Sequence, residues 1–230
     1  MRTFDHVDNK LFESDFFLKE IENSGSKLFE LRCFFSAFVS SSRSVTFALQ
    51  ASMNGVVGFE AWYAIIQNEL RQNELARFFH ECRTDDQKLG FNHITRGTSN
   101  SGKMKWFFGE PEKGRYKFIP KIDVVEACRC QMVKVCSIVD RAYLEFGIEI
   151  DPDQRYRPES LASQGISLED IEEFLGCPRG WTDTGDDTEN KDLHRLSILT
   201  KEIPRSAVKP LLAQYLNRDL EYPTDRFRFP

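Results

Sequence analysis

No apolar run in the 230-residue chain approaches the roughly 20 residues that a membrane-spanning helix needs. The opening "MRTFDHVDNKLFESDFF" interrupts its apolar residues with charges every few positions. The expectation is a soluble, cytoplasmic protein with no membrane partner. Six cysteines are scattered without the regular spacing of a disulfide framework, so reduced thiols in a helical core are expected. Cys128 and Cys130 stand two apart on a helical pattern and therefore point to different faces, and no Cys or His pair follows at zinc-ligand spacing. Neither a metal nor a cofactor is expected. Ser/His/Asp arrangements, Walker-type glycine loops, dinucleotide glycine fingerprints and HExxH are all absent, which excludes the commonest signatures of a metabolic enzyme. Positive charge in excess is lacking too: the formal net charge is −5, which argues against a chain that coats nucleic acid over its whole surface.

What is present is apolar and aromatic. With 40% hydrophobic residues and 20 Phe the chain can build a core of ordinary size, as one large domain or one domain with an appendage. Its charge is unevenly placed. From Phe91 to Lys121 the residues Arg96, Lys103, Lys105, Lys113, Arg115, Lys117 and Lys121 outweigh Glu110 and Glu112, whereas Glu149 to Asn190 is acidic.

Hydrophobic periodicity predicts helices from about Asn9 to Asn23 and from Lys27 to Ser52. In the second, Leu28, Leu31, Phe35, Phe38, Val45 and Leu49 form a long stripe, and Ser36, Ala37 and Ser40 to Ser42 leave room for a close neighbour at its midpoint. A third helical stretch starts at Phe59 and resumes after Asn73 as "ELARFFHECR", with Leu75, Phe78, Phe79 and Cys82 on its buried face and Arg77, His80, Glu81 and Arg83 on or beside the other. "TDDQKLGFNHITRGTSNSGK" then reads as a mobile loop over about 85–103. "MKWFFGEPEKGRYKFIP" reads as a basic β-hairpin at about 104–119, and Asp123 with Glu126 opens another long helix that Gly147 closes. Beyond it, residues 149–230 read as an acidic appendage with a helix capped by Ser167 and Asp170, two further helices and an extended tail "YPTDRFRFP". The fold class is mostly α: a four- to five-helix bundle over 1–148 with a β-hairpin insertion and a small helical C-terminal region.

The runs "FELRCFFSAFVSSSRSVTFALQ", "FEAWYAIIQNEL" and "LARFFHECR" resemble the core of bacterial proteins related to the HEPN superfamily, all-helical bundles that often dimerise. The likeness covers roughly Asp15 to Gly147. It implies an RNA-directed module of defence or toxin type, a homodimer, and, if the protein is an enzyme, a metal-independent endoribonuclease. In that family an arginine with a polar neighbour lies four to six residues before a histidine. Here Arg83, followed by Thr84, is the counterpart of the arginine. His93 lies ten residues further on and His80 lies three before Arg83, so the spacing departs from the family pattern at the imidazole.

The chemistry states what those residues would do. Attack of a ribose 2′-hydroxyl needs a group of near-neutral pKa to move a proton, the usual work of histidine, and a fixed cation on the phosphate, which suits the planar fork of arginine. Arg83, His93 and His80 are the catalytic candidates. Arg83 equally suits the bland task of offsetting a helix C-terminus. Arg96, Lys103, Lys105, Arg115 and Lys117, interleaved with Trp106, Phe107, Tyr116 and Phe118, are the candidates for nucleic-acid binding, although strand alternation on any hairpin packed against a bundle produces the same pattern. A catalytically silent module that dimerises and binds a protein partner is the alternative function.

Overall fold

A computed structural model of the chain describes residues 4–90, 93–99, 102–109, 116–183, 185, 190–203, 207–217 and 219. Among them are ten helices and one two-stranded antiparallel sheet. The helices α1 (Asp5–Asn23) and α2 (Leu28–Ser52) form an antiparallel pair with the most extensive helix contact in the molecule. At the midpoint the serines allow close approach, and the Ser14 hydroxyl donates to Ser41 Oγ across 3.2 Å in the buried interface. Then come α3 (Phe59–Gln72) and α4 (Glu74–Leu89), separated by Asn73, whose side chain caps α4 by accepting from the Ala76 amide at 2.9 Å.

The helix α4 runs past Arg83 to Leu89 and ends at Gly90 in the left-handed conformation, so the first part of the expected loop is helical. The reason lies in the stripe. Asp85 follows Phe78 and Cys82 at helical spacing and is buried with them, so the helix keeps its inner face for another turn. The remainder of that expected loop contains a strand: β1 (Ile94–Thr98) pairs with β2 (Met104–Phe108), with Ile94 opposite Phe108 and Arg96 opposite Trp106. The hairpin therefore lies upstream of the one expected. Its anticipated turn and the start of its second arm, 110–115, lie outside the described residues, as does the "YPTDRFRFP" tail, and the described residues 116–121 form no strand. Phe108 and Ile94 anchor the sheet on the bundle, where the Phe108 ring meets Phe78, Phe35 and Phe79 at centroid distances of 4.8, 5.6 and 6.4 Å. Trp106 Nε1 donates to the Gly25 carbonyl at 2.7 Å and ties the hairpin to the α1–α2 turn.

The long helix α5 (Val124–Ile150) begins at Asp123, whose side chain accepts from the Glu126 amide at 3.0 Å. Gly147 does not end it. The helix kinks at Phe146 (φ −120°, ψ 24°) and continues. Gly147 is required for a different reason: the Gln154 amide lies where a Cβ would stand, 2.0 Å away, and donates to the Tyr143 carbonyl at 2.9 Å.

The short helices α6 (Pro152–Arg155), α7 (Pro158–Gln164) and α8 (Leu168–Phe174) follow, then α9 (Lys191–Glu202) and α10 (Lys209–Leu216). Ser167 and Asp170 form the expected reciprocal cap of α8. A second, small core unites Tyr156, Leu161, Ile171, Leu196, Leu199 and Ile203. Within it Glu172 is fully buried and accepts from the Thr182 amide at 2.8 Å and from the amide of Gly180, with Arg195 at 3.3 Å. The last helix returns to the main bundle: Val208, Leu211 and Leu212 join its core, and the Tyr215 hydroxyl donates to Asp15 at 2.7 Å. No helix among the described residues is long and apolar enough to cross a membrane.

Candidate anion-binding cleft

The inner surfaces of α2, α3, α4 and α5 do not close completely. They leave a cleft of about 230 Å³. Its floor is apolar and buried, from Val39 of α2, Phe79 of α4 and Val135 of α5. Its walls are cationic: Arg43 from α2, Arg71 from α3, and Arg77 and His80 from α4. Ser42, Thr46, Gln67 and Gln131 add neutral hydrogen-bonding groups, and no carboxylate among the described residues lines the space. Among the described residues, none of these arginines has an acidic partner within ion-pair distance.

Arg43 explains how a cation comes to lie here. It follows Val39 by four positions and precedes Thr46 by three, so helical periodicity carries it alongside the buried stripe of α2. One end is held, since Nη1 donates to Thr46 Oγ1 at 2.9 Å and the guanidinium carbon stands 4.5 Å from the Phe47 ring centroid. Its Nε is buried without a hydrogen-bond partner. Arg83 approaches the same ring at 5.8 Å, and its Nε is also buried and unpartnered. Two guanidiniums thus approach one phenyl ring. Burial, and then Arg83, disfavours the Arg43 charge, with Tyr63 opposing. Leaving a buried donor unpaired costs about 1–3 kcal/mol.

His80 is exposed at the rim on the same face. Burial lowers its proton affinity, Arg43 and Arg83 lower it further, and Glu81 opposes them. Its imidazole is therefore held toward the neutral form.

His93 is placed elsewhere. Only 2% exposed and immediately ahead of β1, it is no part of a mobile loop. Its Nδ1 lies 3.1 Å from the Tyr116 hydroxyl, which in turn donates to the Asp85 carboxylate. Asp85 and Arg83 are two apart on α4, so their side chains leave the helix in nearly opposite directions. Arg83 goes to Phe47, beside Arg43 but not in the lining of the cleft; Asp85 goes inward and takes Tyr116 and His93 with it. The fold brings Arg83 and His80 to one face and keeps His93 on another.

The hairpin cations also part company. Lys105 pairs with Asp123 and ties β2 to the start of α5. Arg96 lies 5.9 Å from the ring of its cross-strand neighbour Trp106 and is exposed, as are Lys103 and Lys117. Arg115 lies outside the described residues. Among the described residues no group of three or more His, Cys, Asp or Glu side chains gathers as a metal site would require.

Sequence reasoning left Arg43 and Arg71 unmarked and put Arg77 merely on the outer face of its helix. One signal was available. Arg43 borders an apolar stripe and has Val39, Ser40, Thr46 and Phe47 at the helical neighbour positions, so no carboxylate on its own helix can neutralise it.

The molecule is thus a mostly α-helical bundle with a β-hairpin insertion and an arginine-walled cleft. Residues 3–93 are similar to a family described as bacteriophage lambda protein ea47. That segment spans α1 to α4 and contains Arg43, Arg71, Arg77, His80 and Arg83, while the Gln131 side of the cleft comes from α5 beyond it. No curated protein and no solved structure matches the chain.

Proposed function

We propose that the protein is an RNA-directed, HEPN-like module of defence or toxin type that acts in the cytoplasm and grips phosphate in this cleft. The observation that carries the reading is the set of Arg43, Arg71 and Arg77 around one concave space whose lining has no carboxylate among the described residues. Arginine forks bind phosphate oxygens in pairs, and their worth rises where the surroundings exclude water. His80 is the imidazole at the cleft, so it is the proton-transfer group of this reading, and Arg77 and Arg83 flank it on α4. His93 supports the fold through Tyr116. The exposed Arg96 and Lys103 at the hairpin, and Lys117 beyond it, are further cations that an RNA strand could meet.

The test is cleavage of a mixed pool of structured and single-stranded RNA in EDTA by wild type, Arg77→Gln and His80→Ala. Metal-independent cleavage that leaves cyclic phosphate ends and disappears in both variants supports a ribonuclease. Binding that weakens in Arg77→Gln, without cleavage, supports an RNA-binding module. Absence of both sinks the RNA reading.

The alternative is a catalytically silent module that dimerises and binds a protein, and the apolar surface that a dimer needs is common to both readings. Phe12, Phe16 and Phe29 on α1 and α2, and Val133, Leu144 and Ile148 on α5, are exposed apolar side chains. Sedimentation equilibrium decides that clause: a concentration-independent monomer removes the homodimer.

A further inference from the structure

The shape of the cleft narrows the kind of phosphate it can take. Helices wall it on four sides, with Val39, Phe79 and Val135 closing the bottom. A continuous strand has no exit beneath it. With about 230 Å³ of space, the cleft is smaller than the several hundred Å³ of a typical drug-sized site, which suits one phosphate with its sugar rather than a run of nucleotides.

Charge points the same way. An internal phosphodiester carries one negative charge, whereas a phosphate monoester carries about 1.5 to 2 at neutral pH, with three acceptor oxygens. Three arginines without acidic partners match the larger charge. The neutral donors Gln67 and Gln131 line the same space and can donate to a sugar or base edge that follows the phosphate. Resting on the RNA reading above, we propose that the cleft receives the terminal phosphate monoester of an RNA strand, so that the protein recognises strand ends.

A free mononucleotide presents the same chemistry, and the experiment separates the two sources. Fluorescence anisotropy is measured in EDTA with internally labelled five-nucleotide RNAs bearing a 5′-phosphate, a 3′-phosphate or hydroxyls at both ends. Adenosine monophosphate and adenosine serve as competitors. The expected result is that one phosphorylated RNA binds at least about tenfold tighter than the hydroxyl-ended strand, the scale of one charge-assisted hydrogen bond. That preference should vanish in Arg71→Gln and Arg77→Gln, whose exposed positions do not threaten folding, and in Arg43→Gln. Displacement by adenosine monophosphate but not adenosine is expected as well.

Equal binding of all three RNAs would overturn the end-recognition proposal and leave the RNA reading standing. Binding of adenosine monophosphate with no binding of any RNA would overturn both the strand-end proposal and the RNA reading, and would reassign the cleft to free nucleotides. No binding of any probe would remove both.

Discussion

Replacing Arg43 by methionine separates a residue held for a ligand from one held for the fold. The substitution keeps an unbranched chain of similar reach over Phe47 and removes the buried, unpartnered Nε, worth about 1–3 kcal/mol of relief. Against that stand the Nη1 bond to Thr46, about 1–1.5 kcal/mol, and the contact of the guanidinium with the Phe47 ring, about 0.5–1 kcal/mol. These nearly cancel. The unliganded variant should therefore melt within about 1 kcal/mol of wild type, or about 2–4 °C for a chain of this length. The liganded comparison should differ sharply. With adenosine monophosphate at about 100 times its dissociation constant, wild type should gain about 2.7 kcal/mol, and Arg43→Met at the same concentration should gain little. The assay is a thermal melt followed by circular dichroism, with and without the nucleotide. A loss of more than about 3 kcal/mol in the unliganded variant would refute the reasoning, because it would show that the guanidinium is integral to the core. An equal ligand-induced rise in both proteins would refute it from the other side.

Three further outcomes are expected. The proton affinity of the His80 imidazole in the folded state is depressed by burial and then by Arg43 and Arg83, with Glu81 opposing. An anion in the cleft opposes that bias, so binding should take up a proton and strengthen as pH falls into the ordinary imidazole range, until protonation of the phosphate monoester at about pH 6 removes charge from the ligand. Without ligand the unfolded chain binds this proton more readily, so the residue's effect on stability is most favourable above the unfolded pKa and declines as pH falls through it. Titration of His80→Gln should give a flatter pH profile for both quantities. Burial alone would raise the Glu172 carboxyl, but hydrogen bonds from Thr182, Gly180 and Arg195 more than offset it and hold it at about 2. Its stabilising effect is then full above the usual glutamate value and lost as pH falls from there towards 2, so amide exchange in α8 and α9 should accelerate across that window. Glu172→Ala should destabilise the small core by about 3 kcal/mol, and unchanged exchange there would exclude the inferred role of the buried carboxylate. Gly147→Ala must push the Gln154 amide off its place and break its bonds to Tyr143 and Asp151, costing about 1–3 kcal/mol in chemical denaturation; a neutral result would mean the kinked turn accommodates a methyl freely.

The periodicity of apolar residues was sufficient for the bundle. Each helix that builds the main core buries a stripe readable at spacings of three and four, and the serines of α2 marked the close crossing at Ser14 and Ser41. Local capping chemistry was equally legible, as Ser167 with Asp170 and Asp123 with the Glu126 amide show, because those bonds close within one turn. The hairpin was not. Pairing between strands depends on partners brought together by the rest of the fold, and β2 found its neighbour at Ile94–Thr98 rather than downstream.

The candidate site was legible only in its residue types. The sequence by itself determined a helical bundle, a helix carrying Arg77, His80 and Arg83, and an arginine beside the stripe of α2 with no acidic helical neighbour. Tertiary structure alone decided which of these meet. Convergence of Arg43, Arg71 and Arg77 requires four helices to pack around one space, and the removal of His93 from that face depends on Tyr116, 23 residues further along the chain, which links it to Asp85. Helical periodicity is a property of neighbours within a few residues; a cleft is a property of side chains from separate helices, and only packing sets the distance between them.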